Sequence, residues 1–461
     1  MQRITMMFVA IALTVPAFGQ NIPVTGVDGA TLQDLAGTPT LVTIVVKGRD
    51  AEDPNLQITE LGPDYLSVLN PETQDRHAYL YEDVKEIRVQ GGKLEAKRFT
   101  MDAERGLTQT QQQLVDRAVR QAAQVFQEEN QNQPVKMDAA MIIAARGDEK
   151  GLKYLQDLSR QTDIETALGA YYRLCIAGQD ELNAAVLENA LASGDRQLRA
   201  TAARVAGLYR EPTAEPYLLR LVRERSADMS VPAAIALARM GSREAEPILL
   251  DMLTELNEDK AKAAAVALTI LGGDSVIRSL NQMLDEETGL ARYRIIEILF
   301  KLGDEKGQEL MKTEALEIPT LRFEAAINLA PQGDIDAMEI LRERLSERYD
   351  IQMNIIRLRA RAAGALIEGG DRSQIAELQE LLRLDFPDLR EPAAGNYVKG
   401  IASIVSRVLI DINVRSLMDV MQPVLLSEYP EARLSAASSI VALGDPAFRD
   451  RLLEHLRSEL W

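Results

Sequence analysis

The sequence predicts a mainly α protein: a right-handed α-solenoid of about ten two-helix repeats, preceded by a small β-barrel domain. Three observations point there. The segment LRFEAAINLAPQGD from Leu321 to Asp334 returns as LRARAAGALIEGGD from Leu358 and as ARLSAASSIVALGD from Ala432, with weaker copies from Val135, Leu198, Met229, Lys260 and Ala291. Aromatic residues make up only 5% of the chain, while Ala and Leu crowd the periodic segments, which suits thin stacked layers better than one thick core. Between Thr40 and Val89 the pattern changes to short β-branched runs separated by turn residues.

With 461 residues, there is length for one long array plus a small domain. The net charge of -18 and pI near 4.8 give an average surface that repels phosphate backbones and anionic membranes, so nucleic acid is not an expected partner. Residues 1–19 read as a secretory signal: Arg3, an apolar run from Met6 to Val15, a break at Pro16, then Ala17 and Gly19. Cleavage is expected between Gly19 and Gln20, making the protein exported, periplasmic or secreted, from a bacterium. The apolar run is too short to span a bilayer, and no later stretch is long and apolar enough. Cys175 is the single cysteine, so no intramolecular disulfide can form. It shares its column of the repeat with Ala144, Gly207, Ala238, Thr269 and Ala330, and is read as a packed thiol rather than a reactive one.

The expected organisation is a signal over 1–19, a β domain over 20–100, a capping helix and linker over 101–134, and the repeat array over 135–461. In the β domain a short helical piece, TLQDLAG from Thr31, leads to strands over Thr40–Gly48, Leu56–Leu61, Tyr65–Leu69, Arg76–Tyr81 and Val84–Val89. Five short strands bury both faces most economically by closing on themselves. The order of helix, long first strand, bent hairpin with GPDYLSVLNPE and then HAYLYEDVKEIRV resembles the Sm-like and SH3-like barrels over residues 31–90. RNA binding, which that resemblance implies, is not carried over. Residues 20–100 hold eight Lys and Arg against thirteen Asp and Glu, behind an export signal. His77 is read as a surface or hydrogen-bonded residue, since only His455, in the last repeat, exists to join it as a metal ligand.

A helix over Leu107–Glu129 carries Leu114, Val115, Ala118, Val119, Ala122, Val125 and Phe126 on one stripe and is expected to cap the open end of the array. Aligned on the Gly of the Gly-Asp step, the repeats place positions 147, 178, 210, 241, 272, 303, 333, 370, 410 and 444 together, about 31 residues apart, with late intervals of 37 and 40. Gly closes the first helix because a left-handed C-terminal residue is cheapest without a β-carbon. The following acid (Asp148, Glu211, Asp304, Asp334, Asp371, Asp411 or Asp445) is placed to cap the second helix. A small pair in the first helix, such as Ala139-Ala140, Ala264-Ala265 or Ala325-Ala326, allows close stacking. These residues resemble the short HEAT-like repeats of the kind found in phycobilisome lyases, over about residues 135–461. The resemblance implies a protein-binding scaffold; some such arrays attach or hold bilin chromophores.

A basic residue occupies one address in seven units: Lys136, Arg199, Arg292, Arg322, Arg359, Lys399 and Arg433. Such a stripe is either an anion-binding ladder or a set of ion pairs with the numerous turn acids, and their abundance favours pairing. The late long intervals need extra residues near Glu347–Met353 and Leu384–Tyr397, where Asp385, Phe386, Asp388, Arg390, Asn396 and Tyr397 are the candidate partner-binding residues. The chain contains no His-Glu-x-x-His, Gly-Lys-Ser phosphate loop or Gly-x-Ser-x-Gly elbow. No catalytic, cofactor-binding or metal-ligating residue is assigned. The expected function is a non-enzymatic scaffold or adaptor for a protein or peptide partner. The rivals are a lyase-like enzyme or chromophore-handling protein, and a structural part of a cell-envelope assembly.

Overall fold

The computed structural model describes residues 24–25, 42–46, 52–61, 65–69, 76–80, 84–89, 107–347, 352–384 and 392–456. The signal segment, the short helical piece at Thr31 and the C-terminal Trp461 lie outside them.

Six strands form in the β domain: β1 (Val24–Thr25), β2 (Val42–Val46), β3 (Glu52–Leu61), β4 (Tyr65–Leu69), β5 (Arg76–Leu80) and β6 (Val84–Val89). Five sit where the β-branched runs place them, and β1 is an addition. Val42, Ile44, Leu56, Ile58, Val68, Val84 and Ile87 are buried. The pairing order is β1-β6-β2-β3-β4-β5. The barrel closure expected from the sequence is not among these pairings: the order ends at β5, and β6 lies antiparallel to β2 on one side while Ile87 and Arg88 pair parallel with β1 on the other.

Helix α1 (Gln109–Gln127) begins with a capping box made by Thr108 and Gln111. Ten layers follow. The first four pair α2 (Gln133–Ala145) with α3 (Glu149–Ser159), α4 (Ile164–Ile176) with α5 (Ala184–Leu191), α6 (Arg196–Tyr209) with α7 (Glu215–Leu221), and α8 (Ala227–Arg239) with α9 (Glu246–Leu253). The next four pair α10 (Glu258–Leu271) with α11 (Gly273–Met283), α12 (Gly289–Lys301) with α13 (Glu305–Leu310), α14 (Arg322–Leu329) with α15 (Ile335–Ser346), and α16 (Met353–Glu368) with α17 (Ile375–Leu381). In the ninth layer α18 (Ala393–Ile412) is followed by tight turns over Arg415–Met421 and Pro423–Leu426 in place of a second α-helix. The tenth pairs α19 (Pro430–Gly444) with α20 (Pro446–Leu456).

The repeat chemistry operates as the sequence implies. Gly147, Gly178, Gly241, Gly303, Gly333 and Gly370 all have φ between 72° and 105°, and Arg210 takes the same left-handed role at φ 50°. Asp148, Asp304, Asp334 and Asp445 accept backbone N–H groups at the starts of their second helices, and Glu211 and Asp371 do so at the short turns leading into theirs. Two units depart. In the ninth, the left-handed residue is Asn413 at φ 52°, so Ile410 and Asp411 lie inside the last turn of α18 rather than at the start of a second helix; the helix runs three residues further because Ile410 and Ile412 are both buried. In the fifth, the fully buried small pair is Ala263-Ala264, one residue earlier than expected, and Ala265 is half-buried.

First helices stack one on the next, the sixth and seventh through the wide-turn segment Met311–Ala315. Ala325 and Ala326 are wholly buried in this stack. Leu at either position should destabilise by roughly 1–3 kcal/mol through overpacking. A thermal melt reads the effect, and wild-type stability in both variants would refute the stacking register.

The array does not end openly. Helix α1 packs on α2 and also on α19, and α2 touches α19 directly, so the first and last layers meet and the stack closes into a ring. Leu114, Val115, Ala118, Ala122 and Val125 are buried in this joint, and a side chain on Gly444 would come within 2.7 Å of Val115. The expected terminal cap is therefore a keystone. One helix covers both open ends of the array at once, because its apolar stripe, widened by the half-buried Val119, Ala123 and Phe126, is broad enough to meet two neighbours. Beyond the joint, α20 reaches across to the second and third layers. Arg451 donates to the Ile176 carbonyl at 2.8 Å, Glu454 accepts from Arg210 at 2.9 Å, and His455 meets the edge of Tyr172.

Candidate functional site

The ring has two edges. On one, first helices end in left-handed residues and pass into second helices; on the other, second helices hand over to the next first helix. The first edge is partly covered, because α20 lies along it against Gly178 and Arg210, and Asp445 reaches Arg146 at 3.3 Å. The first edge also bears the half-exposed Ile335 at the start of α15, and the other exposed large apolar side chains among the described residues lie on the handover edge.

Both sequence insertions separate a second helix from the next first helix, α15 from α16 and α17 from α18, and their residues 348–351 and 385–391 lie outside the described residues. Of the six candidate partner-binding residues, Asp385, Phe386, Asp388 and Arg390 lie outside the described residues. Asn396 is exposed in the first turn of α18, and Tyr397 beside it is half-buried against the core. The handover edge carries three exposed large apolar side chains: Leu256 between α9 and α10, Leu290 in the first turn of α12, and Leu426 just before α19. Sequence reasoning passed over these leucines. The available signal was an apolar residue inside a polar link, as in Glu255-Leu256-Asn257. Between the second and third layers a cleft of about 370 Å³ opens on this edge, walled by Thr162, Asp163, Glu165, Asp195, Gln197 and Thr201 among others. Hydrogen bonds from Thr166 hold the Asp163 carboxyl below its usual range, in keeping with its capping of α4.

Five of the seven residues of the basic stripe are consumed in ion pairs; Lys136 reaches only the Glu129 carbonyl, at 3.5 Å, and Arg322 is exposed without an ion pair among the described residues. Arg199 meets Glu224 at 3.0 Å, Arg292 grips Glu314 through two nitrogens, Lys399 meets Glu431 at 3.1 Å, and Arg433 meets Glu128 at 2.8 Å across the ring joint. Arg359, buried at 8% exposure, grips Glu377 at 2.7 and 2.9 Å and donates to the Leu345 carbonyl at 2.8 Å. These pairs tie first helices to the end of their own second helix or to the next layer, as the pairing reading of the stripe requires.

The titratable clusters elsewhere have structural surroundings. Burial and the nearby Glu454 and Asp180 push the Cys175 thiol up to about 11, and its Sγ lies 3.7 Å from the Leu208 carbonyl, so little thiolate forms near neutrality. Tyr293, Glu297 and Asn328 form a polar bridge between α12 and α14, and Arg361 of α16 grips Glu324 through two nitrogens. Burial and the facing Asp411 raise Glu368, at the end of α16, to about 7. Among the described residues no group of His, Cys, Asp and Glu is arranged to hold a metal ion, and no helix is long and apolar enough to cross a membrane.

Glu368 gives a pH signature. Its folded pKa lies above that of an unfolded glutamate, so its contribution is most favourable below about pH 4.5 and is lost as pH rises through about 7. Glu368→Gln should therefore gain stability over the parent at pH 8, on the order of 1–2 kcal/mol after solvent screening, and little at pH 4.5. Denaturant titrations at the two pH values check it, and an equal gain at both would refute the assignment.

The family model for HEAT repeats matches residues 184–269, which span α5 to the last turn of α10. Among solved structures, the chain is similar to the complex of CpcE and CpcF of phycocyanin lyase from Nostoc sp. PCC7120, with 22% identity over 52% of this chain and 94% of that chain and a TM-score of 0.34. It is also similar to human deoxyhypusine hydroxylase in complex with glycerol, with 18% identity over 56% of this chain and 97% of that one and a TM-score of 0.28. No curated protein matches it.

Proposed function

We propose that this chain is an exported scaffold or adaptor that holds a protein or peptide partner along the handover edge of its ring. The observation that carries the reading is the coincidence on one edge of three exposed leucines and a cleft, while the opposite edge is partly covered by the chain's own last helix. Apolar side chains spaced over several layers suit many shallow contacts with an extended polypeptide, with affinity spread over the edge. The signal-like residues 1–19 support export, with processing between Gly19 and Gln20.

Cross-linking in intact cells followed by mass spectrometry tests both parts. It should return a protein partner joined mainly at residues 225–256 and 385–426, together with a mature chain beginning at Gln20. A chain that starts at Met1 would defeat export and reopen the lyase-like reading. Recovery of the protein alone, with turnover of a small molecule, would defeat the scaffold reading.

A further inference from the structure

The third layer breaks the electrostatics of the chain. From Arg196 to Arg225 it holds seven arginines and three glutamates, within a protein of net charge -18. The arginines are not spread evenly round the layer. The Arg199–Glu224 pair at 3.0 Å fastens the first turn of α6 to the link that follows α7, which gathers Arg196, Arg220, Arg223 and Arg225 around the handover edge. All four are exposed. Arg220 lies over the ring of Tyr217 at 4.8 Å, and Arg223 donates to the Leu219 carbonyl at 2.9 Å, so both are held in place without a carboxylate partner among the described residues. The layer's other two glutamates, Glu211 and Glu215, sit at the opposite end of α7.

The island is bounded. Asp163 and Glu165 line the cleft on its second-layer side, Asp195 is held as the N-cap of α6 by the backbone N–H groups of Gln197 and Leu198, and Asp228 and Asp251 are exposed on the fourth layer. It is therefore about one layer wide, roughly 10 Å. A nucleic-acid duplex would extend over the acidic flanks and be repelled there, whereas a short run of carboxylates fits between them.

We propose that this edge of the third layer docks a short acidic segment of the partner, a few consecutive Asp or Glu side chains gripped by Arg196, Arg220, Arg223 and Arg225. The proposal rests on the handover edge being the partner surface and adds the charge of the segment and the layer that takes it. Arginine suits the task because its planar fork matches a carboxylate with two parallel hydrogen bonds.

The test is fluorescence anisotropy of a labelled hexaglutamate peptide with the full-length processed protein at low salt, beside hexaserine and hexalysine peptides and a short DNA duplex of equal charge. Hexaglutamate should bind, weaken as salt rises, and lose about tenfold or more with the triple variant Arg220→Glu, Arg223→Glu, Arg225→Glu, whose fold is verified by circular dichroism. The triple Lys variant should retain part of the binding. Equal binding of hexaserine, tighter binding of the duplex, or no loss in the Glu variant overturns the proposal. If cross-linked partners still map to this edge, the scaffold reading survives that failure; if hexaglutamate binds but no partner maps there, the scaffold reading fails by itself.

Discussion

Val115→Asp should open the ring while leaving most of the array folded. Val115 is 1% exposed in the joint where α1 meets α19, with the backbone of Gly444 close against it. A carboxylate there enters the buried apolar stripe that holds Leu114, Ala118 and Ala122, so it must either take up a proton or pull the helix into water. The cost should be roughly 3–5 kcal/mol, at the upper end for a point substitution. In a stacked array each layer depends on its neighbours alone, so the loss falls on the closing joint. The expected result is a larger radius of gyration by X-ray scattering, with nearly unchanged helical circular dichroism and a new low-temperature unfolding step. Loss of all helical signal would mean that the array cannot stand without closure. An unchanged radius would mean that α1 does not join the two ends.

Arg359→Met should cost about 3–5 kcal/mol, because it strands a buried acid. Arg359 and Glu377 are 10% and 12% exposed at the side chain, and the guanidinium also satisfies the carbonyls of Leu345 and Glu347. Removing it leaves a carboxylate and two carbonyls without their donor in a poorly hydrated place. Adding Glu377→Met should recover a good part of the loss, since an apolar pair of similar volume can replace a buried ion pair at little net cost. Chemical denaturation of the two single variants and the double closes the cycle. Additive losses would show that the pair is not coupled, and would return the stripe to an anion-binding role.

Most of the local architecture was legible in the sequence because it is fixed by local chemistry. A left-handed residue wants Gly, an N-cap wants Asp, and stacked helices want Ala, so the columns at Gly147, Asp148 and Ala139-Ala140 could be read directly. The register failed where a different residue met the same need: Asn413 can adopt the left-handed conformation, so the ninth layer turns there and the Ile410 column was misplaced. Closure was not legible. Whether a stack comes round on itself depends on small rotations summed over ten layers, and the stripe on α1 reads alike whether it covers one end or two. The sheet failed similarly: the strands were visible, but not that β6 would pair on its outer side with β1, a two-residue strand whose parallel contact carries no local signal. The partner surface was legible in part. The insertions marked two of the links between layers, while the arginine island was hidden by counting charge over the whole chain.

The central claim is closure, and a distance across the joint tests it most directly. With Cys175 replaced by Ser, spin labels at the exposed positions Arg120 on α1 and Asp450 on α20 should give one narrow distance below about 35 Å by pulsed electron resonance. In an open stack, ten layers at about 9 Å each would hold them some 90 Å apart. A long or broad distribution in the folded protein would contradict the ring.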